Sequence, residues 1–250
     1  MKKDISKIFR DWAFDPADIS ARKIMGLDGQ ERLQVRLDLG ILQMEMVGRP
    51  DGEQPHGQAS MLAHYLDALD AHREKEGSDE TFYLDADACA DLGQEGLQFY
   101  YRFVALLRLD DYEAVLQDTR HCLALIDLIR SYAEDEEDRI YFEHYRPYVM
   151  MVHTRTKGER RLLKGDYEGA LREVEKGIDK IRSVTEDFEG MEPEGEIQAL
   201  EAWAEEIKEQ RPVGLKQRLR EQLQEAIALE QYERAARLRD RLNALGSPSF

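Results

Sequence analysis

The chain changes its hydrophobic rhythm once. Leu33, Val35, Leu37 and Leu39 alternate with Gln34, Arg36 and Asp38, a period of two that predicts a half-buried strand. "ISARKIMGLDGQERLQVRLDLG", residues 19–40, therefore reads as a β-hairpin. Its runs meet at Asp28-Gly29, where glycine supplies a positive φ. After Gly40 the apolar set moves to Leu42, Met44 and Met46. That one-residue phase slip predicts a β-bulge at the glycine. "GRPDGEQPHG", residues 48–57, follows, with Pro50 and Gly52 placed for a tight turn.

From about Gln58 the spacing becomes helical. Met61, Leu62, Tyr65, Leu66 and Leu69 share one face, and the segment breaks at "EKEGSDE". In "FYLDADACADL" an acidic residue caps the next helix; the run lacks the sharp-turn glycine of a calcium loop. That helix extends to about Leu109, and another spans Tyr112 to about Ala133. "EDEED" opens a long helix to about Lys164, with a kink expected at Pro147, which has no N–H to donate. A further helix runs from Tyr167 to about Thr185, and "FEGMEPEGE" has the composition of a linker. Ile197, Leu200, Trp203, Ala204 and Ile207 then make one amphipathic helix ending near Arg211-Pro212.

Three segments echo one another: "RLDDYEAVLQDT" (108–119), "LKGDYEGALREV" (163–174) and "ALEQYERAARLRD" (228–240). Each reads as the turn of a helical hairpin, in which small polar residues stop one helix and start the next while a tyrosine wedges between them. With Gly158 seven residues before Gly165, the second copy resembles the tetratricopeptide repeat, a likeness covering residues 94–186. Tyr112 and Tyr167 stand 55 residues apart, whereas that family repeats about every 34. The helices are therefore overlong, or an insertion separates the hairpins.

The third echo sits between Pro212, a helix-starting residue, and the stop signals Gly246 and Pro248. Leu215, Leu219, Leu223, Ala226 and Ile227 form one apolar stripe, and Tyr232, Ala235, Leu238, Leu242 and Leu245 another. Glu230 with Arg234 and Glu233 with Arg237 have the i,i+4 spacing of helix ion pairs. The run carries Ala226, Glu230, Tyr232-Glu233, Ala235-Ala236, Leu238-Arg239-Asp240 and Leu242. In this it resembles the UVR (UvrB/UvrC) motif, with Tyr232 where that family more often has Phe. The resemblance implies a partner-binding surface on Leu219, Leu223, Ala226, Ile227, Tyr232, Ala235, Ala236, Leu238, Arg239 and Leu242. UVR motifs join the excision-repair helicase subunit to its nuclease, and occur in Clp-type ATPases and in the activator of the bacterial protein arginine kinase. The whole arrangement, a "GRPDG" loop ahead of a helical body, also looks like a type of bacterial UVR-motif protein of unknown function.

The fold expected is mainly α. It has a small N-terminal β-hairpin or sheet (1–57), a tetratricopeptide-like α-hairpin body (58–187), a linker with an amphipathic helix (188–212) and a C-terminal UVR helical hairpin (213–246).

Charge narrows the function. The net charge is −17; residues 213–246 carry seven Lys or Arg against five Asp or Glu, hence +2, which leaves −19 elsewhere. A body that acidic repels phosphate at long range, so direct nucleic-acid binding is not expected. No apolar run approaches the roughly 18 residues of a membrane span. No signal sequence is read at the N-terminus, and Cys89 and Cys122 are isolated thiols, as in a cytoplasmic protein. No metal site and no cofactor is expected, and no phosphate-binding G-x-x-x-x-G-K-[ST] is present. Three readings stay open. The first is a cytoplasmic adaptor that binds protein partners, or a second copy of itself, through the hairpin and the body. The second is an accessory factor of excision repair recruiting a nuclease. The third is an enzyme using Asp38, Glu45, Arg49, Asp51 and His56, of which Arg49, Asp51 and His56 would equally serve as a recognition loop.

Overall fold

A computed structural model describes residues 5–186, 193–212 and 215–244. The chain forms two compact units, Met1–Ala204 and Glu205–Phe250. The first opens with a short helix, α1 (Ser6–Asp11), and a three-stranded antiparallel sheet in the order β1 (Ala21–Met25), β2 (Glu31–Leu37) and β3 (Gly40–Glu45). Gly29, at φ 80°, turns the first hairpin as its sequence predicts. The expected bulge at Gly40 is instead a second hairpin. Leu37 pairs with Gly40 across a two-residue turn at Asp38-Leu39, and the phase slip marks where the chain reverses.

Both faces of β2 are covered. Leu33 and Val35 enter the core, while Gln34 and Arg36 are buried on the opposite face. There Arg36 lies over the Phe9 ring at 4.2 Å and Arg22 over Trp12 at 4.0 Å. Arg36 Nε also donates to the Trp12 carbonyl at 3.0 Å. Cation–π contact lets the N-terminal segment shield a polar strand face without an apolar partner.

The helices follow: α2 (Met61–Glu76), α3 (Ala86–Arg108), α4 (Tyr112–Tyr132), α5 (Glu136–Glu143), α6 (Arg146–Leu162), α7 (Tyr167–Thr185) and α8 (Glu194–Gln210). Asp85, Asp111 and Asp166 cap α3, α4 and α7 by accepting from the amides of Ala88, Ala114 and Gly169. The single long helix expected after "EDEED" is two, broken at His144-Tyr145. Pro147 lies in the first turn of α6, where a missing N–H costs nothing. Behind it Arg146 bridges the fully buried Glu143, at 2.6 Å, and the exposed Asp127, at 2.5 Å.

The antiparallel pairs α3/α4 and α6/α7 are the helical hairpins read from the two "DY" turns, and α6 packs between α4 and α7. The 55 residues between Tyr112 and Tyr167 are filled by α4, the inserted α5 and α6. One core joins Leu33, Val35 and Met44 of the sheet to Phe99, Phe103, Val115 and Val152. A second joins Met61 and Leu69 of α2 to Leu92, Leu125 and Ile129. Close approach within α6–α8 relies on glycine. A Cβ on Gly158 would stand 2.4 Å from the Trp203 ring, and one on Gly177 would stand 2.3 Å from Thr154. The "FEGMEPEGE" linker lies largely outside the described residues.

The second unit contains the end of α8 from Glu205, and α9 (Leu215–Ala228) and α10 (Tyr232–Ala244), the last two packing against each other as a helical hairpin.

Candidate functional site

The three echoed turns are one backbone device. Asp110, Gly165 and Glu230 each take a left-handed φ, 55°, 71° and 57°. The next residue's amide then reaches back five residues, Asp111 to Leu106, Asp166 to Arg161 and Gln231 to Ala226, at 2.8–3.0 Å. That is the Schellman closure, which satisfies a helix's last carbonyls. The tyrosines diverge. Tyr112 is half-buried and donates to Asp110 at 2.9 Å, Tyr167 is half-buried, and Tyr232 is 69% exposed.

In the C-terminal hairpin, Leu219 and Ala226 of α9 meet Ala235 and Leu238 of α10, flanked by the half-buried Leu223 and Leu242. Ala226 and Ala235 sit directly before and after the turn, so their small side chains let two short helices close together. Ala236 is half-buried, and Arg239 is exposed beside Asp240. Two residues of the apolar stripes, both read as partner-binding, face outward: Ile227 is 54% exposed and Tyr232 is on the surface. With Leu229, 57% exposed, they make an apolar tip around the turn. Of the two ion pairs expected here, Arg237 approaches Glu233 at 3.7 Å. Arg234 instead bonds Gln231 at 3.1 Å, because Glu230 occupies the left-handed turn position and has left the helical face. The side chains of Leu215 and Leu245 and the stop signals Gly246 and Pro248 lie outside what is described.

The N-terminal candidates separate. Asp38 and Glu45 stand at opposite ends of the β2–β3 ladder, about 17 Å apart at strand spacing. Glu45 pairs with Arg32 at 2.7 Å. Asp51 caps the amide of Glu53 and accepts from Arg49 and Gln98, at 3.0 and 2.8 Å. His56, at φ 54°, leaves this group and stacks on His64 with centroids 4.1 Å apart.

Under the loop lies a buried polar network that the sequence reading missed. Glu95, fully buried, accepts from the amides of Met61 and Leu62 at 2.6 and 3.1 Å, and pairs with His121 at 2.8 Å. Arg49 approaches it at 3.8 Å. Arg102 grips Asp118 through two bonds of 2.9 and 2.7 Å, and donates to the carbonyls of Glu45 and Gly48. Burial pushes the Glu95 carboxyl up, but the bonds from His121 and the two amides outweigh it and hold the group below the usual carboxylate range. The arrangement thus fastens the "GRPDG" loop to α2, α3 and α4. A signal for it exists in the sequence, since Glu95 and Arg102 fall on the apolar face of α3 marked by Leu92, Phe99, Phe103 and Leu106.

Compared with known proteins, the family model described as UvrB/uvrC motif matches residues 215–247, a motif generally involved in protein interactions. No curated protein and no solved structure matches the chain. No helix among the described residues is long and apolar enough to cross a membrane.

Proposed function

We propose that the chain is a non-enzymatic cytoplasmic adaptor that holds a protein partner through its C-terminal hairpin, with the tetratricopeptide-like body as a second contact. The observation that carries this reading is the division of labour in the hairpin. Its alanine and leucine seam is spent on holding two helices together, while Ile227, Leu229 and Tyr232 stay on the outside of the turn. Tyrosine at an exposed apolar tip is the kind of residue that dominates binding energy at interfaces. The seam residues named from the motif act by building the hairpin, and the tip residues make the contact.

Capture from a bacterial lysate tests this, comparing the full chain with an Ile227→Asp, Tyr232→Ala variant. Both positions are exposed, so the variant should melt within about 0.5 kcal/mol of the parent. Loss of a defined set of captured proteins is expected. Retention of the same set by the variant would overturn the reading. Ala235→Glu is the wrong probe, because a carboxylate forced into the seam costs about 3–5 kcal/mol and opens the hairpin itself.

The motif's name favours one alternative, an accessory role in excision repair. In that case the lost set contains a nuclease subunit, and contact with DNA is indirect.

A further inference from the structure

The sheet has two edges, β1 and β3, and they differ in what guards them. β1 carries Arg22 and Lys23, and Lys23 reaches across to Asp111 at the start of α4, at 2.6 Å. Charge on an edge strand and ties to a neighbouring element are how sheets avoid adding further strands. β3 reads Gly40-Ile41-Leu42-Gln43-Met44-Glu45, with no Lys, Arg or Pro. Its one charged residue, Glu45, is bound back to Arg32 at 2.7 Å.

Hydrogen bonds on the neighbouring strand show which backbone groups of β3 point outward. The amide of Arg36 donates to the Ser20 carbonyl on the β1 side, so the pair Arg36–Ile41 exchanges no bonds and Ile41 turns away from β2. Alternation turns Gln43 and Glu45 away as well. At Glu45 the outward groups are taken. Its amide donates to the Pro50 carbonyl at 2.8 Å, and its carbonyl accepts from Arg102 at 2.9 Å. At Ile41 and Gln43, nothing among the described residues bonds to either backbone N–H or either C=O. A row of side chains ends at the same place. Arg22 Nη2 donates to Gln34 Oε1 at 2.8 Å, and Gln34 Nε2 donates to Gln43 Oε1 at 2.9 Å. The row crosses all three strands and stops at the exposed Gln43, whose Nε2 has no partner among the described residues.

We propose that β3 pairs antiparallel with β3 of a second copy about a two-fold axis at Leu42, joining two three-stranded sheets into one. This register sets Ile41 of each copy opposite Gln43 of the other. The two pairs exchange hydrogen bonds in both directions and use every open backbone group on both edges. An axis at Gln43 would set Ile41 against Glu45, whose groups are already bonded; an axis at Ile41 would set Gln43 against the turn at Leu39. The two Gln43 side chains lie diagonally across the axis on one face, with backbones about 7–8 Å apart and within reach of each other. Each free Nε2 donates to the second lone pair of the other's Oε1, so the two rows join. Leu39 and Val47, 89% and 88% exposed, flank the strand at either end. The antiparallel direction brings Leu39 of one copy to the Val47 end of the other. A second copy thus supplies by symmetry both an amide on the axis and an apolar side chain at each end. So short an edge buries little, and a dissociation constant on the order of 100 µM is expected.

Sedimentation equilibrium of the full chain, at concentrations about tenfold either side of that value, tests the pairing, with amide exchange read at Ile41 and Gln43 in the same samples. A dimer is expected, and those two amides should slow as concentration rises. Gln43→Pro removes one donor per copy from the interface and none from the β2 ladder, so it should weaken the dimer roughly tenfold in a folded protein. Gln43→Glu still accepts from Gln34 within one copy but sets two carboxylates across the axis. It should weaken the dimer by a similar factor, partly restored by salt. The Ile227→Asp, Tyr232→Ala variant should dimerise like the parent, which separates this contact from the hairpin tip. A chain that stays monomeric throughout overturns the proposal, the edge then being open to a strand of another protein. A dimer that both Gln43 variants leave within about twofold of the parent, or one that the hairpin-tip variant abolishes, overturns it as well.

Discussion

Replacing Glu95 tests whether the buried network, rather than apolar packing alone, holds the loop and α2 in place. Its two oxygens satisfy the first amides of α2 and the His121 ring, and the side chain is closed off from the surface. Glu95→Gln keeps the volume but turns one acceptor into a donor that faces donors. That leaves about one buried N–H unsatisfied, for roughly 1–3 kcal/mol, and removes charge assistance from the remaining bonds. A total near 3 kcal/mol is expected. Glu95→Leu orphans both amides and His121 together and should cost about 4–5 kcal/mol. Either loss is a large share of the ~5–15 kcal/mol that holds a domain together. Urea denaturation of the full chain, followed by far-ultraviolet circular dichroism and tryptophan fluorescence, measures it. The pH limb gives a second reading. Because the folded carboxyl sits below its unfolded value, its contribution is complete above that unfolded value, about 4.3, and disappears as pH falls through the folded one. Glu95→Gln should therefore flatten the acid side of the stability profile while leaving the neutral side parallel. A Glu95→Leu protein within about 1 kcal/mol of the parent would refute the argument, since uncompensated buried donors cannot be that cheap.

Other expectations follow from single residues. Glu230 pays for a left-handed φ in the hairpin turn, so Glu230→Gly should slow amide exchange across α9 and α10, by about 0.5–1 kcal/mol. Gly165 is the mirror case: it has open space around its α-carbon, so Gly165→Ala should lower stability by about 1 kcal/mol through backbone conformation alone. Gly158→Leu should displace the Trp203 ring, costing about 1–3 kcal/mol and shifting tryptophan emission to the red. An unchanged emission maximum would mean that the ring does not rest on this glycine.

Much of this chain was legible before any coordinates. The period of two, Asp28-Gly29 and the polar pairs before Tyr112 and Tyr167 describe interactions within a few residues of one another. Local backbone chemistry is decided there, and the strands, caps and turns appear where those signals stand. The UVR hairpin was legible for the same reason, since its seam is two short stripes joined by one turn. Errors arose where a local signal admits two structures. A phase slip at Gly40 is the same in a bulge and in a tight hairpin, and only pairing with β2 decides between them. Pro147 marks both a kink and a helix start, and the buried Arg146 bridge settles on the start.

The assignment of inside and outside was beyond the sequence. Leu219 and Ala226 share the α9 stripe with Ile227, yet packing of α9 on α10 buries the first two and leaves Ile227 54% exposed. Glu95 and Arg102 look like surface by composition, yet the meeting of α2, α3, α4 and the loop encloses them. Apart from the reversal before Gly40 and the break between α5 and α6, the sequence by itself determined the main strands and helices and where they turn, because those are contests among neighbours along the chain. Only the tertiary structure decided which polar groups share a site, since Glu95, His121 and Met61, or Thr119 and His153, are brought together by helix packing across separations that no local periodicity records.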